Sequence, residues 1–174
     1  MFLILKYLAK LMKALASEAS PSQIAGGMIL GMIIGLTPFM SLHNFFIVVL
    51  ILVLRVNIGM ALLSFMIFSG VAYLADPLFH SFGVWLLELE GMQETYGSMY
   101  NNEWWALTKF YNTVVIGSFV TAAVLSIPAF PVFRILVLQY REKIQAKVQK
   151  WKVIQAFKST NLYSIYKTVS RVRG

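Results

Sequence analysis

Long apolar runs separated by short polar clusters dominate the chain, and the clusters mark where its elements start and stop. In the first nineteen residues Lys6, Lys10 and Lys13 stand four and three apart, with Leu3, Ile4, Leu8, Leu11, Met12 and Leu15 filling the rest of the wheel. That spacing predicts an interfacial amphipathic helix. A cleaved signal peptide ending at Ala14-Leu15-Ala16 fits less well, because lysines interrupt its apolar region. Ser20 is placed as an N-cap, with Pro21 at the first helical position and Gln23 where a capping box returns its hydrogen bond. The helix that follows is expected to run to about Leu36. Its Gly27, Gly31 and Gly35 fall four apart, so one face is bare backbone that another helix can approach closely.

Thr37-Pro38 should end this helix, since proline lacks an amide hydrogen and pushes the preceding residue out of the helical region. A second apolar run, from Phe45 to Leu54, follows Ser41, His43 and Asn44 and stops at Arg55-Val56-Asn57. At ~1.5 Å per residue neither run comfortably crosses a hydrocarbon core of ~30 Å, and a re-entrant hairpin suits them better than two full spans. The third stretch, Ile58 to Leu89, is expected to break or kink at Asp76-Pro77, and the last, Phe110 to Leu138, to bend or unwind at Pro128 and Pro131. Ile144, Val148, Trp151, Ile154 and Phe157 then recur at steps of three or four in a basic amphipathic tail. The expected fold is all-α: an integral membrane helical protein with short or broken helices. It divides into an interfacial helix (1–19), a membrane domain (20–138) and a basic cytoplasmic tail (139–174).

Composition agrees with the pattern. Of 174 residues 59% are hydrophobic and 13% charged, too apolar a mixture for a water-soluble domain of this size. There is no cysteine, which excludes disulfide frameworks, thiolate nucleophiles and thiolate metal sites. The net charge of +8 is unevenly spread: ten basic residues and one acidic residue lie from Arg134 onward, whereas residues 88–103 hold four acidic residues and no Lys or Arg. By the positive-inside rule both termini are expected on the cytoplasmic side of the membrane. Tyr96, Tyr100, Trp104 and Trp105 in the acidic loop suit a membrane–water interface. Anionic headgroups are the expected partners of the tail, and nucleic acid is not, because the basic residues alternate with large apolar ones next to a membrane segment.

Candidate chemistry rests on polar groups inside apolar segments. Asp76 is the one carboxylate there, and a charged aspartate at membrane depth costs at least ~2.5–3.5 kcal/mol. It is read either as the cap of a helix beginning at Pro77, with a partner such as Arg55 nearby, or as part of a polar site at a broken helix. His43 after Thr37-Pro38 and His80 after Asp76-Pro77 form a weak internal echo, the kind of paired interruption at which half-helix ends meet an anion. The candidate substrate-binding residues are Thr37, Pro38, Ser41, His43, Asn44, Arg55, Asn57, Asp76 and His80. Gly27, Gly31 and Gly35 are assigned to helix packing. No nucleophile, acid–base pair or phosphate loop is recognisable, so no catalytic residue, metal site or cofactor is assigned and an enzyme is not expected.

The run Ser20-Pro21-x-x-Ile24-Ala25-x-Gly27-x-x-x-Gly31-x-x-x-Gly35-x-x-Pro38, followed by Arg55-x-Asn57 and Asp76-Pro77, resembles the bacterial inner-membrane family filed as domain of unknown function 2062. The resemblance covers about residues 1–150 and implies a membrane setting without an activity. It differs from the family pattern at Ser41 and His43, where glycine and glutamine are expected, and at Asp76-Pro77, where Asn-Pro is usual. The leading expectation is a small inner-membrane subunit that helps move or hand over lipid or another anionic amphiphile, beside a larger membrane or envelope protein. The rival is a structural anchor or assembly factor in which the same features only pack helices. A groove reaching the broken segments would favour the first, and segments filled by side chains the second.

Overall fold

A computed structural model describes residues 19–144, and the elements expected at 1–18 and in the tail from 145 onward lie outside them. The described chain is helical throughout: α1 (Pro21–Leu36), α2 (Leu42–Val53), α3 (Ile58–Leu87), the short α4 (Gln93–Tyr100) and α5 (Glu103–Ala106), and α6 (Thr113–Gln139). Among the described residues, 19–137 belong to one compact unit. A second begins at Leu138, and its described part contains a π-helical turn, Tyr140–Ile144.

Helix α1 starts where local chemistry directs it. Ser20 Oγ accepts from the Gln23 amide while Gln23 Oε1 accepts from the Ser20 amide, a reciprocal box that satisfies two orphan donors beside Pro21. The helix ends at Thr37, whose backbone is extended before Pro38. Five residues later α2 turns back. Helix α3 then starts from Asn57, whose Oδ1 accepts from the Met60 amide and whose own amide donates to Gln23 O, tying the start of α3 to the start of α1.

The glycine ladder sets the first helix pair. A Cβ on Gly27 would meet Asn57 O, one on Gly31 would meet Ala61 O, and one on Gly35 would lie 2.8 Å from Phe65 O. Each contact is 30 residues on, so α1 and α3 run parallel with backbones in van der Waals contact along the whole of α1. Ser64 Oγ donates to Met28 O at 2.6 Å within the same seam, the sort of interhelical bond that small-residue packing permits. A second close approach joins α3 to α6, where a Cβ on Gly83 would strike Thr113 O and one on Gly117 would strike Phe79 O. There the numbering runs in opposite senses, so α6 is antiparallel to α3. Phe68 against Phe133, and Met60 beside Val137, continue that pairing down α3.

Two expectations are corrected. Helix α3 is a single 30-residue helix with Pro77 in its interior, so Asp76 does not cap a helix there and no half-helix end exists at that point. Helix α6 likewise continues through Pro128 and Pro131, so the chain does not unwind there. A proline inside a helix costs roughly 3 kcal/mol, and here the flanking turns are held on both sides. Ala72, Ala75 and Phe79 pack into the core around Ile29, Met32 and Ala122, and Ala129 and Phe133 pack against the same cluster. The acidic loop also differs from expectation in containing α4 and α5.

Helix α3 and residues Thr113–Glu142 are long and apolar enough to cross a membrane by length and composition. Only 17% and 28% of their most apolar windows are buried, so these are not the wrapped core helices of a soluble domain. Large side chains such as Phe45, Leu52, Leu74, Leu78 and Ile127 point outward instead.

Candidate functional site

The hairpin between α1 and α2 is closed by polar side chains that are almost wholly withdrawn from the surface. Thr37, Ser41, His43 and Asn44 are all buried. Asn44 Nδ2 donates to Pro38 O at 3.0 Å, with Phe39 O at 3.4 Å, and its Oδ1 lies 2.9 Å from Thr37 Oγ1. The Thr37 hydroxyl has one proton, shared between that oxygen and the Ile33 carbonyl at 2.9 Å. Ser41 Oγ adds a bond to Pro38 O at 2.7 Å. The carbonyls of Pro38 and Phe39, in the turn that follows the helix, are thereby paired by side chains of the hairpin itself.

His43 stands apart from this network. Its ring lies 4.7 Å from that of Phe119 and is stacked on Phe110 at 6.0 Å, and neither ring nitrogen has a hydrogen-bond partner. An imidazole so placed is held as a flat, aromatic wedge between the hairpin and the start of α6.

Beside the hairpin tip opens a groove of about 320 Å³. Thr37, Pro38 and Phe39 form one wall, and Ser69, Tyr73 and Asp76 line the facing stretch of α3. Those three α3 residues are four and three apart, hence on one helical face. His80 continues the same stripe one turn on, where its Nδ1 lies 2.7 Å from Thr113 Oγ1.

The structure therefore gathers Thr37, Pro38, Ser41, His43 and Asn44 at one place and brings Asp76 across the groove from the first two. His80 is a turn beyond. Arg55 and Asn57 are elsewhere, in the connection between α2 and α3. Asp76 is 18 residues beyond the start of α3, so at ~1.5 Å per residue about 27 Å of helix separates it from that connection, and Arg55 is not its counter-ion. Asn57 serves as the cap of α3. Among the described residues no three His, Cys, Asp or Glu side chains assemble into a metal-binding group.

Sequence reasoning missed Phe39, Phe65, Ser69 and Tyr73, all of which line the groove. The four-three-four spacing from Ser69 through Tyr73 and Asp76 to His80 was a signal for the α3 members. Gly83 and Gly117 were missed as well, having no repeat around them to draw notice.

No solved structure matches this chain. A protein described as uncharacterized from Treponema pallidum (strain Nichols) is 28% identical over 145 residues, covering 83% of this chain and 90% of the relative. Residues 5–145 match the family described as uncharacterized protein conserved in bacteria (DUF2062), and with four-fifths of its length in that match the chain belongs to this family.

Proposed function

We propose that the protein is a small, non-enzymatic inner-membrane subunit that assists the transport or hand-over of lipid or another anionic amphiphile, beside a larger membrane or envelope partner. The observation that carries this reading is the groove, which reaches the Thr37-Pro38 break and opens toward the outward, apolar side of α3. A hairpin serving only to pack helices gains nothing from such an opening. In this reading α3 and α6 cross the bilayer, and α1 and α2, of 16 and 12 residues, form a re-entrant hairpin. The hairpin tip reaches the level of residues 65–76, and α3 extends eleven residues beyond Asp76. Both termini then face the cytoplasm, with the acidic loop outside.

The anchor reading draws its support from the glycine seams, which are filled within the chain, and from a hairpin network that satisfies itself. The two readings part on bound lipid. Protein purified from native membranes should carry lipid detectable by mass spectrometry, and Ala72→Leu, which adds bulk where the groove wall meets the core, should lose most of it while remaining folded and helical, at a lower unfolding midpoint. A lipid-free wild type, or unchanged lipid in a folded Ala72→Leu variant, would favour the anchor. Topology is tested separately. A cysteine at Ser98 should react with an impermeant thiol reagent from outside the inner membrane and one at Ser159 should not, with no native cysteine to interfere. Labelling of both from one side would overturn the two-sided arrangement.

A further inference from the structure

We propose that the groove between the α1–α2 tip and α3 is a site for the ammonium group of a lipid headgroup, with Asp76 as its counter-ion and the rings of Tyr73, Phe39 and Phe65 around it. The proposal rests on the groove reading above and takes its lipid to be an amine-bearing one in place of an anionic amphiphile. Its starting point is that Asp76 is a carboxylate without a cationic partner among the described residues. No ion pair to it is present among the described residues. Arg55 is at the far end of α3, in the α2–α3 connection. The Phe68–Phe133 contact sets Arg134 roughly two helical turns, ~12 Å, from the level of Asp76. His80, the nearest residue of the helix able to carry a positive charge, is engaged with Thr113.

In the bilayer arrangement proposed above, an unpaired carboxylate at this level is costly and calls for a cation. The chemistry of the surroundings states which kind. Phe39 and Phe65 lie with ring centroids 5.8 Å apart, and both line the groove together with Tyr73 and Asp76. The faces of aromatic rings attract cations and repel anions. Among the described residues no Lys or Arg lines the groove, so there a bare phosphate or carboxylate would meet one like charge and no opposite one. An alkylammonium meets a carboxylate and aromatic side chains. Tyr73 and Leu74 are about four-fifths exposed, which leaves the mouth open to the side where acyl chains would lie. Anionic headgroups are left to the basic segments of the chain, and the groove selects by a different rule.

The test uses the full-length protein in nanodiscs made with equal amounts of phosphatidylethanolamine and phosphatidylglycerol, followed by extraction and mass spectrometry of the lipids that remain bound in detergent. The wild type should enrich the ethanolamine lipid by about tenfold, the discrimination expected of one charge pair assisted by ring faces. Asp76→Asn, close in shape, should lose that enrichment and retain its total lipid and its thermal midpoint. Tyr73→Leu should lose part of it. Bound lipid with no headgroup preference, or a preference that survives Asp76→Asn, would overturn the ammonium site and leave the groove reading standing. Lipid absent from wild type and from Ala72→Leu alike would overturn both. A membrane protein that copurifies with wild type and is released by Asp76→Asn, without any lipid preference, would assign Asp76 to a basic side chain of a partner and overturn the lipid proposal. If Asp76→Asn fails to fold, Tyr73→Leu and Phe39→Leu carry the test, and an unaltered preference in both would overturn it.

Discussion

Replacing Gly31 with leucine is expected to abolish the folded protein in detergent, whereas Gly97→Leu leaves it unchanged. At Gly31 a side chain would be driven into the main-chain carbonyl of Ala61, and the neighbouring approaches at Gly27 and Gly35 are also to backbone atoms. Overpacking against side chains typically costs ~1–3 kcal/mol because rotamers can yield. A peptide group fixed in the middle of α3 yields only if the whole seam opens, and the cost should exceed that range. Opening the seam would also break the Ser64–Met28 bond and expose Ile29 and Met32 of the core. At Gly97, by contrast, a Cβ would have nothing within 4 Å, and the residue sits in the exposed α4, where leucine is the better helix former. Thermal unfolding followed by circular dichroism checks the pair. A Gly31→Leu variant melting within a few degrees of wild type would show that α1 does not lie on α3 as described.

The ladder shows what was legible in the sequence and what was not. Three glycines at helical spacing announce a close approach, and Ser20, Pro21 and Gln23 announce a helix start, because both signals are local and the groups concerned are within a turn of one another. Which helix fills the seam is a matter of an offset of 30 residues, set by the length of α2 and its two connections. No local pattern encodes that. Thr37-Pro38 and Asp76-Pro77 carry the same dipeptide logic and have opposite outcomes. After Pro38 the chain meets Ser41 and Asn44, which satisfy the carbonyls that the turn leaves free. After Pro77 it meets Phe79 and Gly83, which lock the next turn onto α6 and carry the helix through. Tertiary packing outweighed the proline penalty in the second case and local polar side chains took over in the first. The site was legible to the same extent: the tip residues cluster because they are neighbours in sequence, while the wall supplied by Ser69 and Tyr73 depended on the parallel register of α1 and α3. The weak echo between His43 and His80 led toward two equivalent broken helices, and only one break exists.

Asn44→Leu should be the most damaging single change at the hairpin tip, although leucine is of similar size and better suited to an apolar setting. The asparagine amide is the point at which the turn is knotted: it donates to Pro38 O and Phe39 O and faces the Thr37 hydroxyl, from a position only 3% exposed. Leucine leaves these groups without that partner, at ~1–3 kcal/mol for each buried group that finds no replacement. Two of them have alternatives. Ser41 Oγ still serves Pro38 O, and Thr37 Oγ1 still reaches Ile33 O. The expected loss is therefore about 2–3 kcal/mol rather than the sum. Thr37→Val, which removes a hydroxyl whose acceptors are partly served by other donors, should lose only about 0.5–1.5 kcal/mol. Asn44→Asp separates hydrogen bonding from shape. Its ionised form would set oxygen against the carbonyls of Pro38 and Phe39, so its destabilisation should match or exceed that of leucine near neutral pH and diminish in acid, where a protonated carboxyl can donate one bond. Unfolding in detergent at about pH 5 and about pH 8, on either side of that protonation in a buried carboxyl, measures both. An Asn44→Leu variant as stable as wild type, or an Asn44→Asp variant whose stability is independent of pH, would show that the turn is held by Pro38 and Ser41 alone and that the amide is a passenger.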